Sequence, residues 1–397
     1  MTTKQEIEVN VPFYSKEFIE NPYPFYERIQ RENPIQWVST IREKGWFITG
    51  YHEAKLVLTN PQFQVRTPLP RHTYEYKHMK QVQKNMMLYQ NEENHKRIRR
   101  LFQKPFAQQM VENLRPLISK TIDSLLEQVK DQKEFDVMQD FSYPLPSFII
   151  AEMLGIPNDD REKIKNWTNE LLSVIDLTRT KKTLYKGNER ANELIHYFQQ
   201  LLQERKGKPK HDLISKCAAS TDLTEDEMIS QLILLMVAGH ETTVNLIANS
   251  ILNLIKYEEE RYKLMRNPEL ISSAIEECLR FESPTQITAR YATEDMTIGE
   301  ETVRRGYQVY VALGAANRDP NIFKEPHRFQ IDRHPNPHLS FGSGIHFCLG
   351  SQLARLEAQM AIQRFFEFFP NPVIHESTLS WRRLIGFRAL QSLRVGV

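Results

Sequence analysis

Apolar residues recur at three- and four-residue intervals over 111–130 and 188–205, with charged residues between them. That spacing places one apolar stripe along an α-helix. Two further helices are predicted with clearer bounds. The first follows Thr224, which forms a capping-box pattern with Glu227 three residues on, and runs to about Lys256. At 1.5 Å per residue it reaches roughly 48 Å, longer than most globular helices. The second covers 350–369 and carries Leu349, Leu353, Leu356 and Met360 along one side, so it docks on a core. Strand-like runs are confined to 46–51 and 308–313, each bounded by turn residues. The pattern therefore predicts a mainly α chain with a small β region. No internal repeat or low-complexity linker divides it, so residues 1–397 are expected to form a single domain.

Composition sharpens this picture. Of 397 residues only 14 are glycine, well below the usual ~7%, which favours long helices over turn-rich sheets. The net charge of +2 supplies no global basic field, so nucleic acid is not an expected partner. Cys217, Cys278 and Cys348 are odd in number and widely spaced, which points away from a disulfide framework and toward a reducing cytoplasm. Residues 1–12 lack the apolar stretch of a signal peptide. The longest apolar run, 232–238, falls far short of the ~20 residues of a membrane span, so no membrane anchor is expected.

Scarce residues concentrate in one loop, Phe341-Gly342-Ser343-Gly344-Ile345-His346-Phe347-Cys348-Leu349-Gly350. A helix follows the cysteine directly, and a helix N-terminus stabilises a thiolate, which can ligate a metal. A lone cysteine is ordinarily a small buried apolar residue, and His346 with Cys348 supplies only two of the four ligands that zinc takes. The long helix holds a second anomaly at its centre, Ala238-Gly239-His240-Glu241-Thr242-Thr243. A mid-helix glycine costs about 1 kcal/mol, and an acid with two hydroxyls in an apolar run is costly unless hydrated or used. Glu277 and Arg280 lie at i and i+3, an arrangement that alone is usually an exposed ion pair of little worth. His95 and Arg99 lie one helical turn apart on a basic segment.

The loop resembles the haem-binding loop of the cytochromes P-450, Phe-Gly-x-Gly-x-His/Arg-x-Cys-x-Gly, at all six fixed positions: Phe341, Gly342, Gly344, His346, Cys348 and Gly350. The 238–243 segment is similar to that family's Ala-Gly-x-acid-Thr-Thr motif, and Glu277 with Arg280 to its Glu-x-x-Arg. The resemblance implies the cytochrome P-450 fold, with haem b (iron protoporphyrin IX) between the long central helix and the helix following the cysteine loop. It also implies Cys348 as the axial thiolate, with Phe341, Gly342 and Gly350 shaping the loop. His95, Arg99, Arg290 and His346 are implied as partners of the propionates, Ala238 and Gly239 as cofactor-binding residues, and Gly239 with Thr242 as the pair that opens a local oxygen-binding groove in the long helix. Glu241 and Thr242 are implied as the proton relay. Arg328 is implied as the third member of the Glu277–Arg280 pair, bracing the cysteine loop.

The activity so implied is that of a haem-thiolate monooxygenase, in which the thiolate promotes O–O cleavage. No reductase domain is expected in the chain, so electrons would come from a separate ferredoxin or flavodoxin with its reductase, steered by Arg97, Arg100, Lys104 and Arg355. Stretches 64–70, 277–290 and 340–362 are similar to the family's biotin-pathway branch, which cleaves long acyl chains held on acyl carrier protein. By family position the substrate pocket would include Met87, Leu88, Leu235, Ala238, Gln286, Ile287 and Phe387. A long-chain fatty acid or acyl chain is the expected substrate, with steroid, terpenoid or macrolide substrates as alternatives. A peroxide-driven enzyme and a non-catalytic haem sensor are the remaining readings, and the intact Glu241–Thr242 pair argues against both.

Overall fold

A computed structural model describes residues 8–9, 11–39, 44–66, 69 and 74–397. Eight helices matter for function: α1 (Tyr51–Thr59), α2 (Lys77–Asn85), α3 (Glu92–Gln103), α4 (Arg115–Val129), α5 (Lys181–Gly207), α6 (Glu225–Lys256), α7 (Ile271–Phe281) and α8 (Ser351–Phe368). Six strands form the main sheet: β1 (Glu8–Val9), β2 (Ile35–Ser39), β3 (Lys44–Ile48), β4 (Phe63–Gln64), β5 (Ile287–Ala292) and β6 (Gln308–Ala312).

The chain clusters into two compact units, each assembled from separate stretches. The first comprises 1–65, 249–348 and 376–391. Its sheet has the order β1-β2-β3-β6-β5-β4. Register opposes Trp37 to Trp46, Phe47 to Tyr310 and Arg290 to Val309. Trp46, Ile48, Val57, Leu58, Val311 and Leu339 share one core cluster, so the sheet, α1 and the approach to the cysteine loop are packed together. The second unit comprises 66–248, 349–375 and 392–397 and is mostly helical. It also holds a small antiparallel sheet, in which Arg394–Gly396 lies between Val373–Ile374 and Glu134–Asp136.

Several expectations hold locally. Glu227 N–H donates to Thr224 Oγ1 (3.2 Å) and Thr224 N–H to Glu227 Oε2 (2.9 Å), the reciprocal bonds of a capping box. The helix following the cysteine loop is α8. Among the described residues, α6 is the one helix long and apolar enough to cross a membrane by length and composition, and 83% of its most apolar window is buried, as in a core helix.

Others need correction. The 111–130 segment is two helices, Gln108–Glu112 and α4, parted just before Pro116, which has no N–H to donate and clashes with the turn before it. The 46–51 strand stops at Ile48, and Tyr51 opens α1 with its N–H bonded to Asp319 Oδ2 (2.8 Å). The apolar pattern does not mark strands β2 and β5, because neither is a sustained apolar run: β5 buries Ile287, Arg290 and Ala292 among half-buried residues. Pairing with β6 makes it a strand, and that partner is about twenty residues away in the chain.

Candidate active site

The cysteine loop is shaped by backbone bonds. Cys348 N–H donates to the Phe341 carbonyl (2.9 Å), Phe347 N–H to Gly344 (3.0 Å) and Gly342 N–H to Leu339 (2.8 Å). Gly342 and Gly344 adopt φ of 71° and 74°, where glycine alone is unstrained. A Cβ at Gly344 would lie 2.7 Å from the Leu58 carbonyl oxygen and 3.2 Å from Thr59 Cα, so the loop rests against the end of α1. Gly350 differs: its φ is −86°, and a Cβ there would meet only a Phe106 ring carbon, at 4.0 Å. Burial pushes the thiols of Cys217 and Cys278 up to about 12, which keeps them protonated, whereas Cys348 is half-buried. Of the three cysteines, Cys348 alone is placed to offer its sulfur to a ligand.

The loop is anchored by residues that the sequence did not single out. Leu339 N–H donates to Asn317 Oδ1 (2.6 Å), Asn317 Nδ2 donates to Ser340 Oγ and Ser283 Oγ (each 2.8 Å), and Ser340 Oγ donates to the Leu279 carbonyl (2.6 Å). Beneath this lies the ion-pair brace. Glu277 and Arg280 are fully buried, and Arg280 Nε and Nη2 form a fork with both Glu277 oxygens at 2.7 Å each. Arg280 also donates to the carbonyls of Asn317 (3.0 Å), Pro326 (2.9 Å) and Arg328 (3.2 Å).

Arg333, rather than Arg328, completes this brace. Arg333 Nε lies 3.1 and 3.2 Å from the two oxygens of Glu277, and Gln330 N–H and Asn336 Nδ2 also donate to that carboxylate. The Arg328 side chain is exposed and pairs with Glu325 at 3.6 Å, and only its carbonyl takes part, accepting from Arg280 and Arg333. The chain turns between the two positions, which carries Arg333 inward.

In the second unit, α6 is helical straight through 238–243. Most of the helix is buried, but Ala238 is exposed and Gly239 and Thr242 are half-buried, giving one accessible stripe of small residues. Thr242 Oγ1 donates to the Ala238 carbonyl (2.8 Å), which directs its lone pairs outward as acceptors. Glu241 is buried, and His240 Nε2 lies 3.3 Å from the Tyr143 carbonyl with the two rings 4.6 Å apart. A Cβ at Gly239 would sit 3.2 Å from Ile150 Cδ1.

Haem is the cofactor of the family these motifs resemble, and two features of the chain suit its propionates. Arg290 is buried, donates only to Thr288 Oγ1 (3.4 Å) and the Ala289 carbonyl (2.8 Å), and has no carboxylate partner among the described residues. Desolvation lowers its guanidinium to about 10, so a carboxylate brought beside it would relieve an uncompensated buried cation. His95 is buried on α3, and burial together with the Arg99 charge lowers it to about 4. It is therefore a neutral imidazole at pH 7 and can donate one N–H to a carboxylate. His346 is half-buried in the cysteine loop.

The remaining expected residues divide between the units. Met87 and Leu235 are buried, Leu88 is exposed, and Met87 N–H donates to Gln231 Oε1 (2.8 Å) on α6. In the first unit Ile287 is buried, and Gln286 spends its amide on the Ser283 carbonyl (2.8 Å) and Tyr23 Oη (3.3 Å). Gln286 and Phe387 line one small cavity beside Phe18, Tyr26 and Trp381. Of the four cations expected to steer a redox partner, Arg97 bonds Glu227 and the Asp222 carbonyl and so belongs to the cap of α6. Arg100 reaches Asp222 only at 3.7 Å, Lys104 is exposed, and Arg355 is half-buried. Residues 67, 68 and 70 of the 64–70 stretch lie outside the described residues.

Residues 8–379 match the family model described as "Cytochrome P450". The chain is 48% identical over 360 residues to the biotin biosynthesis cytochrome P450 of Bacillus subtilis (strain 168), covering 90% of this chain and 91% of that one. It is 39% identical over 318 residues to the polyketide biosynthesis cytochrome P450 PksS of the same organism, covering 78% and 77%. Its structure resembles that of P450BioI crystallised in complex with an acyl carrier protein ligated to hexadec-9Z-enoic acid, with a TM-score of 0.94 at 48% identity over 96% of this chain and 100% of that one. The chain belongs to the cytochrome P450 family of haem-dependent monooxygenases.

Proposed function

We propose that this monooxygenase oxidises a long acyl chain, delivered on acyl carrier protein, in the cytoplasm, and that it draws electrons from a ferredoxin or flavodoxin with its reductase. The observation that carries this reading is the 48% identity over 90% of the chain to a biotin biosynthesis P450, joined to a TM-score of 0.94 with P450BioI crystallised on an acyl-loaded carrier protein. The family match runs through both structural units, which supports treating 1–397 as one catalytic domain.

Bound haem supplies the activation of dioxygen that inserts one oxygen atom into a C–H bond. Cys348 ligates the iron through its sulfur. Arg290 and His346 in the first unit, and His95 and Arg99 in the second, are each suited to hold a propionate by charge or N–H donation. The accessible stripe of Ala238 and Gly239 would let a flat group approach α6 closely, and the Thr242 hydroxyl beside it would accept a hydrogen bond. The buried Glu241 carboxylate passes protons inward from solvent. Apolar Met87 and Leu235 in the second unit would exclude water from an aliphatic chain.

Two measurements test this. Cys348→Ser abolishes the thiolate-type absorption band of the reduced carbonyl complex, and an unchanged band refutes the ligand assignment. In a spectral titration, palmitoyl-loaded carrier protein or free palmitate converts the iron to high spin at lower concentration than testosterone or a macrolide; the reverse order overturns the substrate reading.

A further inference from the structure

Two helical segments of the second unit concentrate positive charge on a chain that is otherwise balanced. Segments 74–85 and 179–190 together carry eight Lys or Arg residues against two acidic ones, so the rest of a chain whose net charge is +2 is negative. The segments are packed together. His78 and Met79 N–H both donate to Asn188 Oδ1 (3.0 and 3.2 Å), and the rings of Tyr76 and Tyr185 meet edge to face at 6.5 Å. Gly187 lets the segments pack closely, since a Cβ there would lie 3.1 Å from Met79 Cε, as well as 2.2 Å from Val174 Cγ2 on the neighbouring helix Arg161–Ile175.

Lys77 and Lys84 on α2, and Lys181, Lys182 and Lys186 in the first turns of α5, are all exposed and form no ion pair among the described residues. Their neighbours show what unused charge means by contrast. Arg190, four residues beyond Lys186, is bound to both Glu170 and Glu193. Lys77 and Lys186 each follow a member of this edge-to-face tyrosine pair, so lysines from both helices flank one spot, and Tyr185 stands there 60% exposed. An exposed tyrosine is a residue type enriched at protein-binding hot spots, and unpaired lysines on the same two helices suit the charged rim of such a contact. Charge of this kind steers an oppositely charged partner into register and raises its association rate.

We infer that this surface of α2 and α5 docks an acidic acyl carrier protein, with Tyr185 at the centre of the contact and the five lysines around it. The inference rests on the proposed acyl-chain substrate and adds where its carrier is held. The lysines do not touch the acyl chain; they hold the protein that bears it. Carrier-bound and free acyl chains should therefore respond differently to their removal.

The test compares the haem-loaded enzyme with its Lys181→Glu/Lys182→Glu/Lys186→Glu variant, using palmitoyl-loaded acyl carrier protein and free palmitate as probes. Binding is read by anisotropy of fluorescently labelled carrier protein and by the high-spin shift. The variant should bind loaded carrier roughly tenfold or more weakly and lose most of its salt dependence, while free palmitate keeps its affinity within about twofold. Tyr185→Ala should weaken carrier binding alone and leave the salt dependence intact. Unchanged carrier affinity in the triple variant overturns the docking surface. So does slower reduction by ferredoxin with unchanged carrier affinity, since the surface then serves the electron donor. Parent enzyme that binds free palmitate but no loaded carrier refutes docking and leaves the acyl-chain reading standing, whereas parent enzyme that binds neither refutes both.

Discussion

The Glu277 carboxylate takes hydrogen bonds from two guanidinium groups, a backbone N–H and an amide, all in a buried setting where a lost partner leaves charge uncompensated. Arg333→Ala should therefore destabilise the protein by about 3 kcal/mol or more, as breaking buried ion pairs does. Arg328→Ala, which removes only an exposed pair with Glu325, should change stability by less than about 0.5 kcal/mol. Urea unfolding of the two variants decides between them, and equal losses would return the bracing role to Arg328. A different buried acid, Glu357 on α8, has no partner for Oε2 among the described residues, and desolvation raises it to about 8. The folded protein holds that proton well above the ordinary glutamate value of 4.5, so between pH 4.5 and 8 the folded state binds more protons than the unfolded one. Stability from this group is full below that interval and declines as pH rises through it. Glu357→Gln should gain on the parent progressively from pH 4.5 to 8 and level off above; a constant difference between pH 5 and 8 would show that the carboxyl does not titrate in this way.

Elements are held in place by contacts that single residues do not reveal. The cysteine loop needs left-handed backbone at Gly342 and Gly344, and at Gly344 it also needs the missing side chain, because the backbone of α1 stands in that space. Gly344→Ala should cost about 2 kcal/mol or more and loosen haem retention with it. Gly350→Ala, with nothing of the protein nearer than 4.0 Å and a negative φ, should lower stability by about 1 kcal/mol at most. Thermal unfolding and haem-transfer rates for the two variants test the contrast, and equal effects would mean that the space beside Gly344 adapts. At the other end of the loop, Asn317, Ser283 and Ser340 link three stretches of chain by short polar bonds. No spacing rule in the sequence marks these residues, since each bond joins positions more than twenty apart.

Across the whole molecule, the features legible from sequence are those whose cause is local. The capping box at Thr224, the length of α6, the glycine-rich loop and the i, i+3 pairing of Glu277 with Arg280 all depend on residues within a turn or two of one another, and each is found as read. Features that depend on distant partners leave no such local mark. Strand β5 exists because β6 pairs with it, the brace closes with Arg333 because the chain turns between Arg328 and Arg333, and Arg97 is neutralised by Glu227. Likewise, Cys217, Cys278 and Cys348 are equivalent in a list of residues, and only packing buries two thiols and leaves the third within reach. The amino-acid order by itself determined the family and its cofactor chemistry, because those motifs are short and contiguous. Tertiary structure decided which charges are paired, which glycines are sterically required and which lysines face outward, because burial and Coulomb energy depend on neighbours in space rather than in sequence.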